Sequence, residues 1–197
     1  NNEIKNDFII HKLNLNSLKI INDKHFENYI NDLKYVLSLN EENNNYFQIA
    51  LGDINSKCNF KGTISKSRLC NDRNIILLKL NYPRHWKQLK LIKNNDISYN
   101  KKNNKIIWRG VTTGHKNKSI NKRYILVNKY YNHKNKNIDV GFSDIVQNRN
   151  DFKKYLKKAL DINEQLQSKF IISIEGNDVA SGLKWQLYSN SVVFMVK

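Results

Sequence analysis

The segment from Phe170 to Phe194 constrains the fold more than any other part of the chain. It places an apolar run at 170–174, then Gly176, a mixed stretch, and a second apolar run at 192–194. This order predicts a buried strand, a sharp turn, a helix and a second buried strand. A strand that enters a helix through a glycine leaves backbone N–H groups unpaired beyond its carboxyl end, where α/β sheets usually bind ligands. The segment therefore predicts a phosphate-binding turn.

The formal net charge of +17 suits a partner rich in phosphate, such as a nucleotide sugar, an anionic glycolipid, a membrane surface or nucleic acid. Lysine and asparagine are spread through nearly every segment, however, which favours a general compositional bias over one basic patch. No stretch approaches ~18 uninterrupted apolar residues and no leader precedes the first element, so we expect neither a transmembrane segment nor a signal peptide. Cys58 and Cys70 alone indicate free thiols in a reducing compartment. Together these features predict a protein that is cytoplasmic or peripheral to a membrane.

Apolar periodicity organises the first half of the chain. A helical stripe runs through 22–39, and the β-prone run 46–51 puts Asp53 just beyond the carboxyl end of a predicted strand. A further strand is predicted at 75–80. The polar stretch 98–105, rich in asparagine and lysine, predicts a connector between two lobes. We therefore expect one lobe over residues 1–100 and a second over residues 101–197.

The pattern restarts after the predicted connector. The run 105–110 predicts a strand, and apolar stripes within 120–131 and 152–160 predict helices that lead to the segment described first. Helices that alternate with strands are typical of α/β domains built on a parallel sheet.

Two arginines are expected near the turn at Gly176. Arg109 ends a predicted strand, and Arg123 begins a predicted helix. Each guanidinium can donate two parallel hydrogen bonds to one phosphate, and a helix N-terminus adds backbone donors and about half a positive charge. Two arginines and a helix N-terminus together therefore suit a diphosphate. A structural ion pair is the alternative for each arginine. Asp178 either caps the predicted helix, which is the simpler interpretation, or accepts hydrogen bonds from a ribose or sugar hydroxyl.

Several motifs follow one another along the chain: Leu80-Asn-Tyr-Pro-Arg-His85, Trp108-Arg109-Gly110, Arg123-Tyr-Ile-Leu-Val127, Ile138-Asp-Val-Gly-Phe142, Ile174-Glu-Gly-Asn-Asp-Val-Ala-Ser-Gly-Leu-Lys-Trp185 and Ser189-Asn-Ser-Val-Val193. In this order they resemble glycosyltransferase family 90, above all its bacterial and viral branch described as lipopolysaccharide-modifying or capsule-associated. The resemblance runs from about Gly52 to the last residue.

The resemblance implies a GT-B-like arrangement of two Rossmann-type lobes, with a UDP-sugar donor in the C-terminal lobe, no cofactor and no metal ion. It implies that Asp53 is the general base and that Arg123 contacts the donor. Arg109 and Gly110 belong to the same expected donor site. The loop implied to bind the donor contains Gly176, Asn177, Asp178, Ala180 and Ser181.

Three departures from the family pattern bear on the expected site. Val111 stands where animal members carry a serine that contacts the donor, so Thr112 or Thr113 would make that contact. Leu183 stands where many relatives carry an arginine, and Lys184 is the nearest cation. Relatives continue beyond the position of the last residue, which predicts a C-terminal lobe that is incomplete and truncated.

The sequence thus predicts an inverting, metal-independent transferase that moves a sugar of the glucose or xylose type from a UDP-sugar to a hydroxyl of a glycan, lipopolysaccharide or capsule acceptor. A basic nucleic-acid-binding module is one alternative, motivated by the charge and by Trp86 and Trp108 as stacking residues. Most aromatic residues fall on apolar stripes, however, and no RRM, KH or zinc-finger signature occurs, so we expect no nucleic-acid partner. A catalytically silent relative is the other alternative. Peripheral association with a membrane is compatible with the charge.

Overall fold

The computed structural model describes residues 8–13, 26–39, 46–54 and 56–196. The chain divides into two compact units, Asn1–Lys87 (unit 1) and Gln88–Lys197 (unit 2). Each unit combines helices with a four-stranded sheet that contains parallel strands, so the α/β class predicted from the sequence is confirmed.

Unit 1 is built on the strands β1 (Phe8–Leu13), β2 (Phe47–Gly52), β3 (Thr63–Ser65) and β4 (Ile75–Leu77), and on the helices α1 (Glu27–Ser38) and α2 (Tyr82–His85). The sheet has the order β1-β2-β3-β4, in which β1 runs antiparallel to β2 and the other neighbours are parallel. The predicted strand at 46–51 is confirmed, and that at 75–80 is shorter than expected. The start of the predicted helical stripe, at 22–25, lies outside the described residues.

Helix α1 covers one face of the first sheet. Its apolar stripe buries Tyr29, Ile30 and Leu33 against Ile49 and Leu51 of β2. Such a stripe recurs every three or four residues, as a helix packed on a core requires. Because β2, β3 and β4 are parallel, their carboxyl ends lie at one edge of the sheet.

Unit 2 contains the strands β5 (Asn103–Val111), β6 (Ile138–Asp144), β7 (Ser168–Ser173) and β8 (Val192–Met195), and the helices α3 (Gln88–Asn95), α4 (Lys122–Tyr130), α5 (Ile162–Leu166) and α6 (Leu183–Tyr188). All four strands are parallel, in the order β6-β5-β7-β8. Parallel strands need helical crossovers, which cover both faces of the sheet.

Neighbouring residues of β5 supply the two cores of unit 2. Trp108 packs on one face with Val127 of α4 and Phe142 of β6, whereas Ile107 packs on the other face with Ile92 of α3. Successive side chains of a strand point to opposite faces, so a continuous apolar run marks a strand that is buried on both sides.

The strand order of unit 2 reverses at β5. From β5 the chain crosses through α4 to β6 on one side, and it then returns to β7 on the other side of β5. The crossovers that follow β5 and β7 therefore leave on opposite sides of β5, beyond the carboxyl ends of these strands. Open α/β sheets bind ligands at such a switch point.

Three predicted elements differ in the structure. The stretch 98–105, predicted as a connector, forms a 3-10 turn and the start of β5, because the buried ammonium of Lys102 bonds to Asp96 and to the Leu166 carbonyl. The helix predicted at 152–160 is a 3-10 turn at Asn150–Tyr155, followed by extended chain whose Lys157 N–H donates to the Phe142 carbonyl. The helix predicted directly after Gly176 begins only at Leu183.

Residues 177–182 form turns and bends instead of helix, and one polar side chain there bonds to the adjacent backbone. Asp178 Oδ1 accepts the N–H of Val179, a local bond that competes with helix formation. Gly182 adds a further cost to any helical conformation. Among the described residues, every helix is too short or too polar to cross a bilayer.

Candidate functional site

Two loops meet beyond the carboxyl ends of β5 and β7, and we call this place the switch-point mouth: residues 112–121 after β5 and 174–182 after β7. The loops are joined directly, because Gly114 N–H donates to Asn177 Oδ1 over 3.1 Å. Gly176 N–H donates to the Asp178 carbonyl over 3.0 Å, which closes the turn that the sequence predicted at this glycine.

Arg123, at the start of α4, is buried in the switch-point mouth and binds both loops. Nε and Nη2 donate to the carbonyls of Glu175 and Ile174 over 3.0 Å each. Nη1 donates to the Val111 carbonyl over 2.8 Å and to Thr113 Oγ1 over 2.7 Å. Burial lowers the pKa of the guanidinium to about 10, so it stays charged at neutral pH. Arg123 therefore lies at the Gly176 turn, where it holds the two loops together.

Gly176 is needed for close approach. A Cβ at this position would lie 2.4 Å from Thr113 Oγ1 and 3.0 Å from Arg123 Nη2, both inside contact distance. Any larger residue would have to push the arginine or the threonine away. The glycine is therefore required by the close packing of Arg123 and Thr113, which we call the clamp between the loops. Its backbone conformation does not require glycine, because its φ is not in the left-handed region.

Two further side chains, Thr112 and Arg149, hold the loop after β5. Thr112, a candidate for donor contact, is fully buried: its Oγ1 donates to the Val146 carbonyl and accepts the Val146 N–H, each over 2.8 Å. Arg149, which the sequence reading missed, is also buried and donates to the carbonyls of Gly114, His115 and Lys116.

One sequence signal could have identified Arg149. Only six of the 34 basic residues are arginine, and the three in unit 2, Arg109, Arg123 and Arg149, all donate to backbone carbonyls. In a chain biased to lysine, an arginine marks a place where the planar, multi-donor guanidinium is required.

The expected donor loop, residues 176–182, is half-buried and forms bends and turns instead of a helix. Asp178 does not cap α6, whose N-cap is Gly182 without a side-chain hydrogen bond. In the part of the chain that the structure describes, the backbone N–H groups of Ala180 and Ser181 have no hydrogen-bond acceptor. Lys184 follows in the first turn of the helix. The loop thus presents unpaired backbone donors near one lysine.

Arg109 does not join the switch-point mouth, because an ion pair binds it elsewhere. Nη2 contacts both carboxylate oxygens of Asp139 at 3.0 and 3.1 Å, and Nε donates to the Lys158 carbonyl. The structural ion pair that the sequence left open is therefore what the structure contains. Gly110 makes room for the ring of Trp108, since a Cβ there would lie 2.7 Å from that ring.

Asp53 follows β2 at the carboxyl edge of the first sheet. Its Oδ1 accepts a hydrogen bond from Lys66 Nζ over 3.0 Å. The side chain of Lys66 is only 5% exposed, whereas that of Asp53 is 39% exposed, so the carboxylate remains open to water and to ligands. Burial raises the pKa of the nearby Tyr29 hydroxyl, and the charge of Lys66 partly offsets this rise. A carboxylate held at one oxygen can accept a proton at the other.

No group of three or more His, Cys, Asp or Glu side chains within the described residues is arranged to hold a metal ion. Among the described residues that the sequence predicted at the site, backbone donors of the switch-point mouth in unit 2 and the carboxylate of Asp53 in unit 1 are open to a ligand. These groups suit an anionic ligand and a hydroxyl, respectively.

Comparison with known proteins gives one informative relative. The chain is 33% identical over 125 residues to the O-glucosyltransferase LpsA of Dichelobacter nodosus. This alignment covers 64% of the chain and 35% of the relative, so the chain spans about a third of the length of the curated relative it matches. No family model matches the chain, and no solved structure gives a significant match.

Proposed function

We propose that the chain is part of a glycosyltransferase that moves a sugar from a UDP-sugar to a hydroxyl of a glycan or glycolipid acceptor, with inversion and without a metal ion. Glucose is the favoured sugar, because the relative is named an O-glucosyltransferase. Membership of family 90 and of its lipopolysaccharide-modifying branch, which the sequence motifs suggest, belongs to this proposal. A GT-B arrangement, with residues 1–100 on the acceptor side and 101–197 on the donor side, belongs to this proposal.

One observation carries the proposal: the switch-point mouth of unit 2 lies where parallel α/β sheets bind phosphates, and its loop carries backbone N–H groups without acceptors. A diphosphate bound there would accept hydrogen bonds from Ala180 and Ser181 and gain electrostatic stabilisation from Lys184. Asn177 would fix the loop through its bond to Gly114.

Arg123 has a different task in this proposal from the one expected from the sequence. Its guanidinium already donates four hydrogen bonds, to three backbone carbonyls and one threonine hydroxyl. We therefore assign Arg123 to holding the loops and to supplying a fixed positive charge, and not to a bidentate phosphate contact. A preorganised charge lowers the energy of a leaving diphosphate without any reorganisation during the reaction.

Asp53 is the proposed general base. Its Oδ2 would take the proton of the acceptor hydroxyl while that oxygen bonds to the anomeric carbon of the sugar. The bond from this carbon to the β-phosphate oxygen breaks, and UDP leaves with the electron pair. Attack from the face opposite to UDP inverts the anomeric configuration. Lys66 keeps Oδ1 occupied and so orients the carboxylate.

The test begins with binding. We expect UDP and UDP-glucose to raise the melting temperature, and UMP to raise it less, because the mouth is proposed to hold a diphosphate. Equal effects of UMP and UDP would contradict the diphosphate site. The second step follows the slow hydrolysis of UDP-glucose by NMR, where inversion releases β-glucose first.

The matched variants are Asp53→Asn and Asp151→Asn, which each remove one carboxylate. We expect Asp53→Asn to lower hydrolysis and transfer at least about 100-fold while UDP still binds, since general-base catalysis supplies factors of this size. Asp151 is exposed and pairs with Lys118, so its variant should retain full activity. Normal turnover by Asp53→Asn would reject the base.

The alternative of a nucleic-acid-binding module relied on Trp108 as a stacking residue, and its burial argues against that role. Trp108 is 3% exposed and packs in the core of unit 2, so it cannot stack on a base without unfolding that core.

A further inference from the structure

A polar cavity of unit 2 lies at the opposite edge of its sheet from the switch-point mouth. It sits at the amino ends of β5 and β6, beneath the chain that links α4 to β6, and has a volume of about 280 Å³. The groups that carry its chemistry are Lys105, Tyr131, His133, Lys136, Asp139 and Lys157. We call this place the amino-edge cavity.

The lining of the amino-edge cavity carries an excess of positive charge. Its one carboxylate, Asp139, is already bound by Arg109 at 3.0 Å and by Lys157 at 2.9 Å. Burial alone would raise the pKa of Asp139, but the hydrogen bonds from Lys157 and Arg109 outweigh this and lower it, so the carboxylate stays ionised. Among the described residues, no carboxylate forms an ion pair with Lys105 or Lys136.

Lys157 is held in place before any ligand arrives. A Cβ at Gly141 would lie 2.7 Å from Lys157 Cγ, so the glycine provides the groove in which the lysine stem lies. The ammonium is 5.2 Å from the centre of the Tyr131 ring and donates to Asp139. A fixed ammonium loses less side-chain entropy when it binds an anion than a free one does.

His133 contributes a donor to the same cavity. Its Nδ1 accepts the N–H of Asn135 over 3.2 Å, which leaves Nε2 as the nitrogen that carries the proton. The ring also packs on Tyr130 with a centroid distance of 5.6 Å, and this restricts its orientation.

We propose that the amino-edge cavity is an anion site that binds the phosphate or diphosphate group of a ligand. Lysines bind phosphate as point charges, and the arrangement offers two uncompensated ammonium groups, one fixed ammonium and one imidazole N–H. The volume lies just below the range of about 300–1,000 Å³ for drug-sized ligand sites, which suits a phosphate group better than a whole nucleotide. The phosphate could belong to a soluble phosphorylated compound or to a lipid head group.

The experiment uses the full 197-residue chain labelled with ¹⁵N, titrated with inorganic phosphate and with pyrophosphate at about 0.15 M salt. We expect saturable shifts of the backbone amides at 131–139 and 157. Shifts confined to 174–184 would mean that phosphate binds only at the switch-point mouth, and would overturn the proposal while leaving the proposed donor site intact.

Paired variants separate a site from general charge. Lys105→Gln with Lys136→Gln should weaken pyrophosphate binding by about 10-fold or more, because two charge-assisted contacts are lost. Lys153→Gln with Lys154→Gln removes the same charge from the neighbouring 3-10 turn, whose lysines do not line the cavity, and should weaken binding by less than about 3-fold. Equal losses in both pairs, or shifts that never saturate, would refute the site.

A vesicle arm identifies the source of the phosphate. Vesicles of phosphatidylcholine with phosphatidic acid present phosphate monoesters, and vesicles of phosphatidylcholine with phosphatidylglycerol, at a fraction matched in surface charge, present phosphate diesters. Binding to the first that depends on Lys105 and Lys136, with little binding to the second, assigns the cavity to a lipid phosphomonoester. Binding of pyrophosphate with neither vesicle bound assigns it to a soluble compound.

Discussion

The two sheets use charged side chains differently at their carboxyl edges. In unit 2, Arg123 and Arg149 are buried and donate to backbone carbonyls of the loops around the switch-point mouth. In unit 1, the buried ammonium of Lys66 holds one oxygen of Asp53, whose side chain is 39% exposed.

The difference separates binding from chemistry. A guanidinium bound to its own backbone cannot also contact a ligand in full, but it makes the surrounding loops rigid and lets their N–H groups do the binding. A carboxylate fixed at one oxygen and open at the other can exchange a proton with a substrate. In the proposed function, unit 2 holds the anion and unit 1 presents the base.

The strongest test of this comparison removes the clamp. Arg123→Met should lower the free energy of unfolding of unit 2 by about 3–5 kcal/mol, because the Val111, Ile174 and Glu175 carbonyls and the Thr113 hydroxyl each lose a charged donor. Urea unfolding reports this loss through tryptophan fluorescence. A Trp86→Phe background leaves only the tryptophans of unit 2 as reporters.

Lys122→Met is the control for the clamp, since Lys122 neighbours Arg123 but pairs with Glu175 at the surface over 3.5 Å. Its effect should be close to zero, as for most exposed ion pairs. If Arg123→Met costs no more than Lys122→Met, the arginine does not hold the loops.

Gly176→Ala tests the clamp by adding atoms to it. The new methyl would lie 2.4 Å from Thr113 Oγ1, so we expect a loss of about 2–3 kcal/mol, in the range for overpacked sites. In the double variant Gly176→Ala with Thr113→Ala, the clashing oxygen is absent. In urea unfolding, the double variant should lose about 1 kcal/mol less free energy of unfolding than the sum of the losses of the two single variants. Losses that add exactly would contradict the close approach of Gly176 to Thr113.

Asp139 forms ion pairs with Arg109 and Lys157, and its side chain is partly exposed, at 25%. Asp139→Asn should cost about 1–2 kcal/mol at pH 7, because Arg109 and Lys157 lose their carboxylate but gain some water. The folded-state pKa of Asp139 lies below its unfolded value. Its contribution is therefore complete above about pH 4 and is lost as the pH falls further. Urea titrations of wild type and variant should converge below that pH.

Much of the fold follows from local patterns in the sequence. The continuous apolar runs predicted β2, β5, β7 and β8, and the helical stripes predicted α1 and α4, because burial imposes a period on each element. β1 was missed, since Phe8–Leu13 gains its place by antiparallel pairing with β2 and not by its own periodicity. The 3-10 turn at Asn150–Tyr155 was predicted as a helix because both conformations repeat apolar residues at nearly the same spacing.

The site was predictable only in part. The sequence placed Arg123 beside the Gly176 turn, because both follow strands that end at one edge of a parallel sheet. It could not reveal that the partners of Arg123 are carbonyls, or that Arg109 pairs with Asp139, because these bonds join residues far apart in the chain. Donor binding by these residues and catalysis by Asp53 remain predictions.

We expect the smallest loss of stability for substitution of Lys66, and this result bears most directly on the comparison of the two sheet edges. Lys66 and Arg123 are both buried cations, yet Lys66→Met should cost less than about 1 kcal/mol, because Asp53 is exposed enough to be solvated by water once its partner is gone. The carbonyls that Arg123 serves include the buried Ile174, which water cannot reach as easily. Urea unfolding with Trp86 as the reporter of unit 1 measures the cost. A loss as large as that of Arg123→Met would mean that the Lys66–Asp53 pair is a structural clamp too, and the contrast between a binding edge and a chemical edge would not hold.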